Sequence, residues 1–182
     1  MTLLFVRHGQ TEWNARRWIQ GRTDIPLNEM GREQARAQAK ALVGTEIDVI
    51  YASPMLRARE TAEIIQQASN AALCFDERLV ERCYGDFEGT DPQGDYGDFE
   101  LKLAQNKAEP LAALHERVLG FLKEIAVKHA GETVLVVAHG GVGRMVQHCY
   151  HGERTVRIEN GALVKFEGKM LGLKPPEIPV YQ

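Results

Sequence analysis

Thr133-Val134-Leu135-Val136-Val137-Ala138, running directly into His139-Gly140-Gly141, is the stretch on which the reading of this 182-residue chain turns. After Thr133 it is continuously apolar and rich in β-branched side chains. That is the pattern of a strand buried on both faces, as in the middle of a parallel sheet with helices on either side. Immediately beyond it, Val142, Met145, Val146 and Cys149 recur at i, i+3, i+4 and i+7, the helical period. A buried strand therefore passes into a helix through a histidine and two glycines.

Working outward, the same alternation repeats. Further strands are expected at 2–6, 48–52, 72–76 and 162–166. Asn28 is placed to cap a helix reaching about residue 43, with Ala35, Ala39 and Leu42 on one face. Ser53-Pro54 reads as an N-cap followed by proline in the first turn, opening a helix with Ala58, Ala62 and Ile65 on one stripe. Leu111, Leu114, Val118, Phe121, Leu122 and Ile125 define a long amphipathic helix. The expected fold is a three-layer α/β/α arrangement around a mostly parallel sheet, formed as one domain over 1–182.

The bulk properties narrow the function classes. Hydrophobic residues make up 44% and charged residues 26%, as in ordinary globular proteins, and the formal net charge of −3 gives no basis for binding nucleic acid. No apolar run approaches the roughly 20 residues of a membrane span, and no signal-peptide pattern opens the chain. Cys74, Cys83 and Cys149 are scattered and odd in number, which fits reduced thiols and a cytoplasmic location rather than a disulfide framework. The stretch 84–110 holds Asp86, Glu88, Asp91, Asp95, Asp98, Glu100 and Glu109 against Lys102 and Lys107, a net charge of −5, and reads as a short acidic lid-like excursion. The tail Lys174-Pro175-Pro176-Glu177-Ile178-Pro179 is expected to be extended. It leaves the oligomeric state open, packing across a homodimer boundary being one arrangement it permits.

Clusters with chemical potential follow the strands. Arg7-His8-Gly9 follows the first, Ser53 to Arg57 the second, Glu81-Arg82 the third after a short loop, and His139-Gly140-Gly141 the fourth. In a parallel sheet those ends share one edge, where α/β proteins build ligand sites. Two arginines, two histidines and a glutamate gathered there suit phosphoryl chemistry. Guanidinium forks bind phosphate oxygens with charge-assisted hydrogen bonds. A neutral imidazole can attack phosphorus, a carboxylic acid can protonate the leaving oxygen, and a second, protonated histidine can stabilise the transferring group. Taken singly, Arg57 and Glu81 would be solvated surface charges. It is the joint pattern that assigns them to a site, and Glu77 and Glu88 are competing acids nearby.

The segments carrying these residues are Leu4 to Asn14, Gln20 to Leu27 with Gly31 and Gln34-Ala35, Tyr51 to Ala62, Leu79 to Gly89, and Val136 to Gly141 with Asn160-Gly161. In order and spacing they resemble the phosphoglycerate mutase-like branch of the histidine phosphatases, over nearly the whole chain. The resemblance implies a phosphoglycerate mutase-like fold and a metal-independent phosphatase that uses no cofactor. It implies His8 as the phosphorylated histidine, Glu81 as proton donor, and Arg7, Arg57 and His139 as the phosphate pocket. Asn14, Gln20, Gly21 and Gly140 are the further substrate-binding positions.

The same residues serve mutases and phosphatases. The short acidic 84–110 stretch repels a doubly anionic substrate rather than clamping it, which favours hydrolysis of a small phosphorylated metabolite over mutase activity. Phosphatases acting on α-ribazole phosphate resemble the chain in size and motifs and are one candidate class. A catalytically silent phospho-ligand binding module is the alternative of a different kind, and the presence of every catalytic match speaks against it.

The remaining signals stay with packing. His115 and His129 are expected on helix surfaces, Trp13 in packing and Trp18 at the pocket rim. His148 and His151 stand at i, i+3 with no third ligand in view, so no metal is expected. His139 to Arg144 partly matches a glycine-rich dinucleotide loop but lacks its spacing and its later acidic residue.

Overall fold

The computed structural model describes residues 1–91, 102–103, 105–152 and 155–171. Five strands, β1 (Thr2–Arg7), β2 (Val49–Ala52), β3 (Ala72–Phe75), β4 (Thr133–Ala138) and β5 (Leu163–Phe166), form one sheet in the order β3-β2-β4-β1-β5. The first four are mutually parallel and β5 runs antiparallel to β1. The α-helices that frame the sheet and its carboxyl edge are α1 (Glu12–Ala15), α2 (Glu29–Ala41), α3 (Leu56–Gln66), α4 (Leu111–Lys128) and α5 (Gly140–His151).

The strand alternation explains why β4 is apolar throughout. Val134 and Val136 join Leu3, Phe5, Val49 and Tyr51 on one face, under Val118, Phe121 and Leu122 of α4 and Val142 and Met145 of α5. Leu135 and Val137 join Leu4, Val6, Ile50 and Ala52 on the other, under Ala39 of α2 and Ala62 and Ile65 of α3. Each fully buried Val, Leu or Phe contributes roughly 1.5–3 kcal/mol, so the two faces hold the layers together from both sides. Among the described residues no helix is long and apolar enough to cross a membrane.

Some details differ from the sequence reading. The helix after β2 starts at Leu56 with Met55 as its N-cap residue, not at Ser53. The Ser53 hydroxyl is drawn instead to His139 on the neighbouring strand's end. His115 and His129 are buried, not on the surface. His115 packs edge-on to the His148 ring between α4 and α5. His129 closes α4 by bonding the Tyr51 hydroxyl at 3.0 Å and the Glu132 carboxylate at 2.7 Å. The His151 ring stacks on Phe166, while the His148 ring faces His115.

Within 84–110, Asp95, Asp98 and Glu100 lie outside the described residues, as does the proline-rich tail. Two of the acids in that stretch are internal fasteners rather than open charge. Glu109 pairs with Arg117 at 2.7 Å and with Arg22 at 3.4 Å. Glu88 is described with the site below.

Candidate active site

The site lies at the carboxyl edge of the sheet. Parallel pairing sets Arg7 opposite Ala138, so the residues that follow, His8 and His139, emerge side by side. Their ring centroids are 5.1 Å apart, and the His8 amide donates to the Ala138 carbonyl at 2.9 Å. Both rings are shut off from solvent.

His8 has its two nitrogens in different company. Nδ1 lies 2.7 Å from the Gly9 carbonyl, an acceptor, so Nδ1 carries the proton. Nε2 receives the Nε–H of Arg57 at 3.3 Å, so its lone pair is free of hydrogen. Arg57, fully buried in the first turn of α3, also donates to the carbonyls of Gly21 at 2.7 Å and Thr23 at 3.1 Å. One side chain thereby ties the 21–23 loop to the His8 ring. One turn further along α3, the Thr61 hydroxyl accepts the Gly9 amide at 3.1 Å.

The backbone beyond His8 is fixed by close approach. Gly9 and Gly31 face one another so tightly that a Cβ on either would overlap backbone. The Asn28 side chain caps α2 at the Gly31 amide and donates to Gln10 Oε1 at 2.9 Å. The Asn160 amide group donates to the His8 carbonyl and to Asn14 Oδ1, both at 3.1 Å.

His139 precedes α5. Its Nε2 meets Ser53 Oγ at 2.8 Å, and its Nδ1 is buried with no partner among the described residues. Arg7 Nε is likewise buried and unpartnered, while Nη1 donates to the Ile158 carbonyl at 2.7 Å. Buried polar atoms without partners are uncommon, and His139 Nδ1 and Arg7 Nε, both on residues at this sheet edge, mark a place where a ligand's acceptor atoms complete the bonding. Gly140 lies against the Arg7 guanidinium, where even a Cβ would only touch it.

Glu81 closes the group. Both carboxylate oxygens lie 3.1 Å from the Gly141 amide in the first turn of α5, and Oε1 also accepts from the Arg82 amide at 2.9 Å. A Cβ at Gly141 would overlap that carboxylate, so this glycine is what admits Glu81. The competing acids are placed elsewhere. Glu77 is exposed. Glu88 accepts from the amides of Arg22, Thr23 and Tyr84 and from the Thr23 hydroxyl. Burial pushes its carboxyl up, but the bonds from Thr23, Arg22 and Tyr84 outweigh that and hold it below the usual carboxylate range.

The electrostatics follow from burial and like charge. Burial first, then Arg57 and Arg7, hold the His8 imidazole neutral, well below its ordinary range. Burial, then Arg57, His8 and Arg7, do the same for His139. The sequence reading expects a protonated second histidine at the transferring group; in the ligand-free protein burial, and then the adjacent cations, disfavour that proton. Arg7 is pushed down to about 10 by burial, against the opposing pull of Glu81, and stays cationic at neutral pH. Among the described residues no group of three His, Cys, Asp or Glu is arranged to hold a metal ion.

A family model described as the histidine phosphatase superfamily, branch 1, matches residues 3–167. The chain belongs to the histidine phosphatase superfamily. It is 37% identical over 135 residues to the uncharacterized phosphatase PhoE of Bacillus subtilis, covering 74% of this chain and 69% of that protein. It is 35% identical over 157 residues to a 2,3-bisphosphoglycerate-dependent phosphoglycerate mutase of Sinorhizobium fredii, covering 76% and 74%. Among solved structures, Bacillus stearothermophilus YhfR superposes with a TM-score of 0.81 at 31% identity, over 94% of this chain and 96% of that one.

Within this histidine phosphatase, His8, Arg7, Arg57, His139, Glu81 and Gly140 come together at one sheet edge as the sequence reading expects. Asn14, Gln20 and Gly21 sit one layer back. Asn14 is bonded to Thr11 and Asn160, Gln20 Oε1 accepts from the buried Thr11 hydroxyl at 2.9 Å, and Gly21 offers its carbonyl to Arg57. Ser53, Thr61, Asn160, Gly141 and Glu88 belong to the site's framework and are absent from the sequence-based residue set. All five stood inside the quoted motifs, which was the available signal.

Proposed function

We propose that this protein hydrolyses small phosphate monoesters in two steps through a phosphohistidine on His8, without a metal ion. The observation that carries this reading is the His8 ring itself: neutral, with Nδ1–H pinned to the Gly9 carbonyl and Nε2 unprotonated, its lone pair met only by the long 3.3 Å bond from Arg57. That is the state and the nitrogen a nucleophile needs.

In the first step Nε2 attacks phosphorus, the bond to the leaving oxygen breaks, and protonated Glu81 delivers its proton to that oxygen. Arg7 and Arg57 balance the negative oxygens, and the unpartnered His139 Nδ1 and Arg7 Nε supply donors. In the second step water attacks the phosphorus, Glu81 takes its proton, and the phosphorus–nitrogen bond breaks to release phosphate.

Relatives named for hydrolysis and for mutase chemistry both match. We favour hydrolysis because the 84–110 stretch carries seven acids and two lysines, a poor clamp for a second phosphate even with Glu88 and Glu109 turned inward. The test is phosphate release from a panel of small phosphate esters, 3-phosphoglycerate included, with a chelator present, for wild type and His8→Ala. Release that survives chelation and is lost in the variant is the expected result. Isomerisation of 3-phosphoglycerate outpacing all hydrolysis, or release that depends on a metal, contradicts the reading.

A further inference from the structure

We propose that Ser53 is a positioning residue that fixes the tautomer of His139, so that this ring meets the phosphoryl group as a neutral Nδ1–H donor. Ser53 and His139 are both 0% exposed, and the serine hydroxyl lies 2.8 Å from His139 Nε2. The Ser53 amide donates to the Val137 carbonyl at 3.0 Å, which locks the serine to the strand that ends in His139.

The assignment comes from counting protons. A hydroxyl has one hydrogen to donate and two lone pairs. One lone pair of Ser53 Oγ receives the Met55 amide at 3.3 Å. That neighbour is a donor and cannot take the hydroxyl hydrogen. The only other partner of Oγ among the described residues is His139 Nε2, so the hydrogen goes there and Nε2 is the bare nitrogen. Were Nε2 protonated instead, two donors would face one oxygen and the hydroxyl hydrogen would be buried without an acceptor, an arrangement folded proteins avoid.

With Nε2 bare on a neutral ring, the proton sits on Nδ1, the atom that is buried without a partner. His139, its ring centroid 5.1 Å from that of the nucleophilic ring, thus carries a donor with no partner among the described residues, and an acceptor oxygen on a phosphoryl group satisfies it. Both histidines then hold their proton on Nδ1 but present opposite nitrogens: His8 a lone pair, His139 a hydrogen. Burial and the adjacent cations, which keep the ring neutral, are consistent with this assignment.

The role of His139 toward phosphate rests on the phosphatase reading, whereas its tautomer does not, and the experiment separates the two. Nitrogen-15 spectra of the ligand-free full chain, with His139 identified through a His139→Asn variant, report which ring nitrogen is protonated. Phosphate release is measured in parallel for wild type, Ser53→Ala and Ser53→Thr. The expected result is an Nδ1–H ring in wild type and in Ser53→Thr. In Ser53→Ala the ring shifts toward Nε2–H, with kcat lowered by about 10- to 100-fold and the His8 signals unchanged. A wild-type ring protonated on Nε2, or a Ser53→Ala protein that keeps both tautomer and rate, overturns the proposal. Absence of phosphate release in wild type would overturn the phosphatase reading while the spectra still decide the role of Ser53.

Discussion

The ends of β1 and β4 carry the same residue type, 5.1 Å apart, and make opposite use of it. At the end of β1, His8 is held through backbone: its own loop carbonyl takes the Nδ1 proton, and Thr61 holds the Gly9 amide. At the end of β4, His139 is held through a side chain from the next strand, Ser53. The first support turns a lone pair into the pocket and the second a hydrogen. The difference teaches that the chemistry of an imidazole is set by which nitrogen is tied down, not by the ring's position on the sheet edge.

The largest expected effect breaks the symmetry outright. His8→Asn eliminates phosphate release and incorporation of labelled phosphate into the protein. His139→Asn lowers kcat by about 10²–10³-fold, the scale for one transition-state donor, but still labels at His8. Labelling that persists in His8→Asn and vanishes in His139→Asn would reverse the assignment.

A smaller effect concerns pH. Both rings are held well below the ordinary imidazole value by burial and adjacent cations. Below about pH 6.5 the unfolded chain therefore takes up protons that the folded chain refuses. Stability is level above that pH and falls beneath it, by up to about 1.4 kcal/mol per pH unit for each ring, with His115 acting in the same sense. Denaturant midpoints measured from pH 7.5 to 5.5 check this, and His139→Asn removes one ring's share of the slope. A flat profile for wild type would show that the rings titrate normally when folded.

The smallest effect sharpens the contrast between the two supports. Thr61→Val leaves the buried Gly9 amide without its acceptor. The expected cost is about 1–3 kcal/mol of stability and a lower kcat, with the His139 tautomer untouched. Thermal unfolding and nitrogen-15 spectra together distinguish that pattern from a general loosening, which would disturb both rings.

Much of this was legible in the chain. The unbroken apolar run of β4 specified a central strand because both its faces meet helices. The clusters after β1, β2 and β4 specified one edge because parallel strands point the same way. What escaped were contacts between side chains far apart in sequence. Ser53 looked like a helix cap because serine before proline commonly is one, and its true partner lies 86 residues away. Glu88 competed with Glu81 as an acid because sequence spacing does not show that Glu88 fastens the 22–23 loop while Glu81 reaches the first turn of α5 at Gly141. The burial of His115 and His129 was readable after all, since both continue the 111, 114, 118, 122, 125 stripe of α4.

The position of β1 has a consequence for how the chain is made. Among the described residues, Thr2 to Arg7 pair with β4 and β5, which begin at Thr133 and Leu163. During synthesis the first strand leaves the ribosome long before any neighbour exists. At ordinary rates of elongation that interval is on the order of ten seconds. Leu3, Leu4, Phe5 and Val6, all shielded in the finished molecule, wait through it uncovered. The segment that leads into His8 is thus also the one a nascent chain most needs to keep from sticking elsewhere.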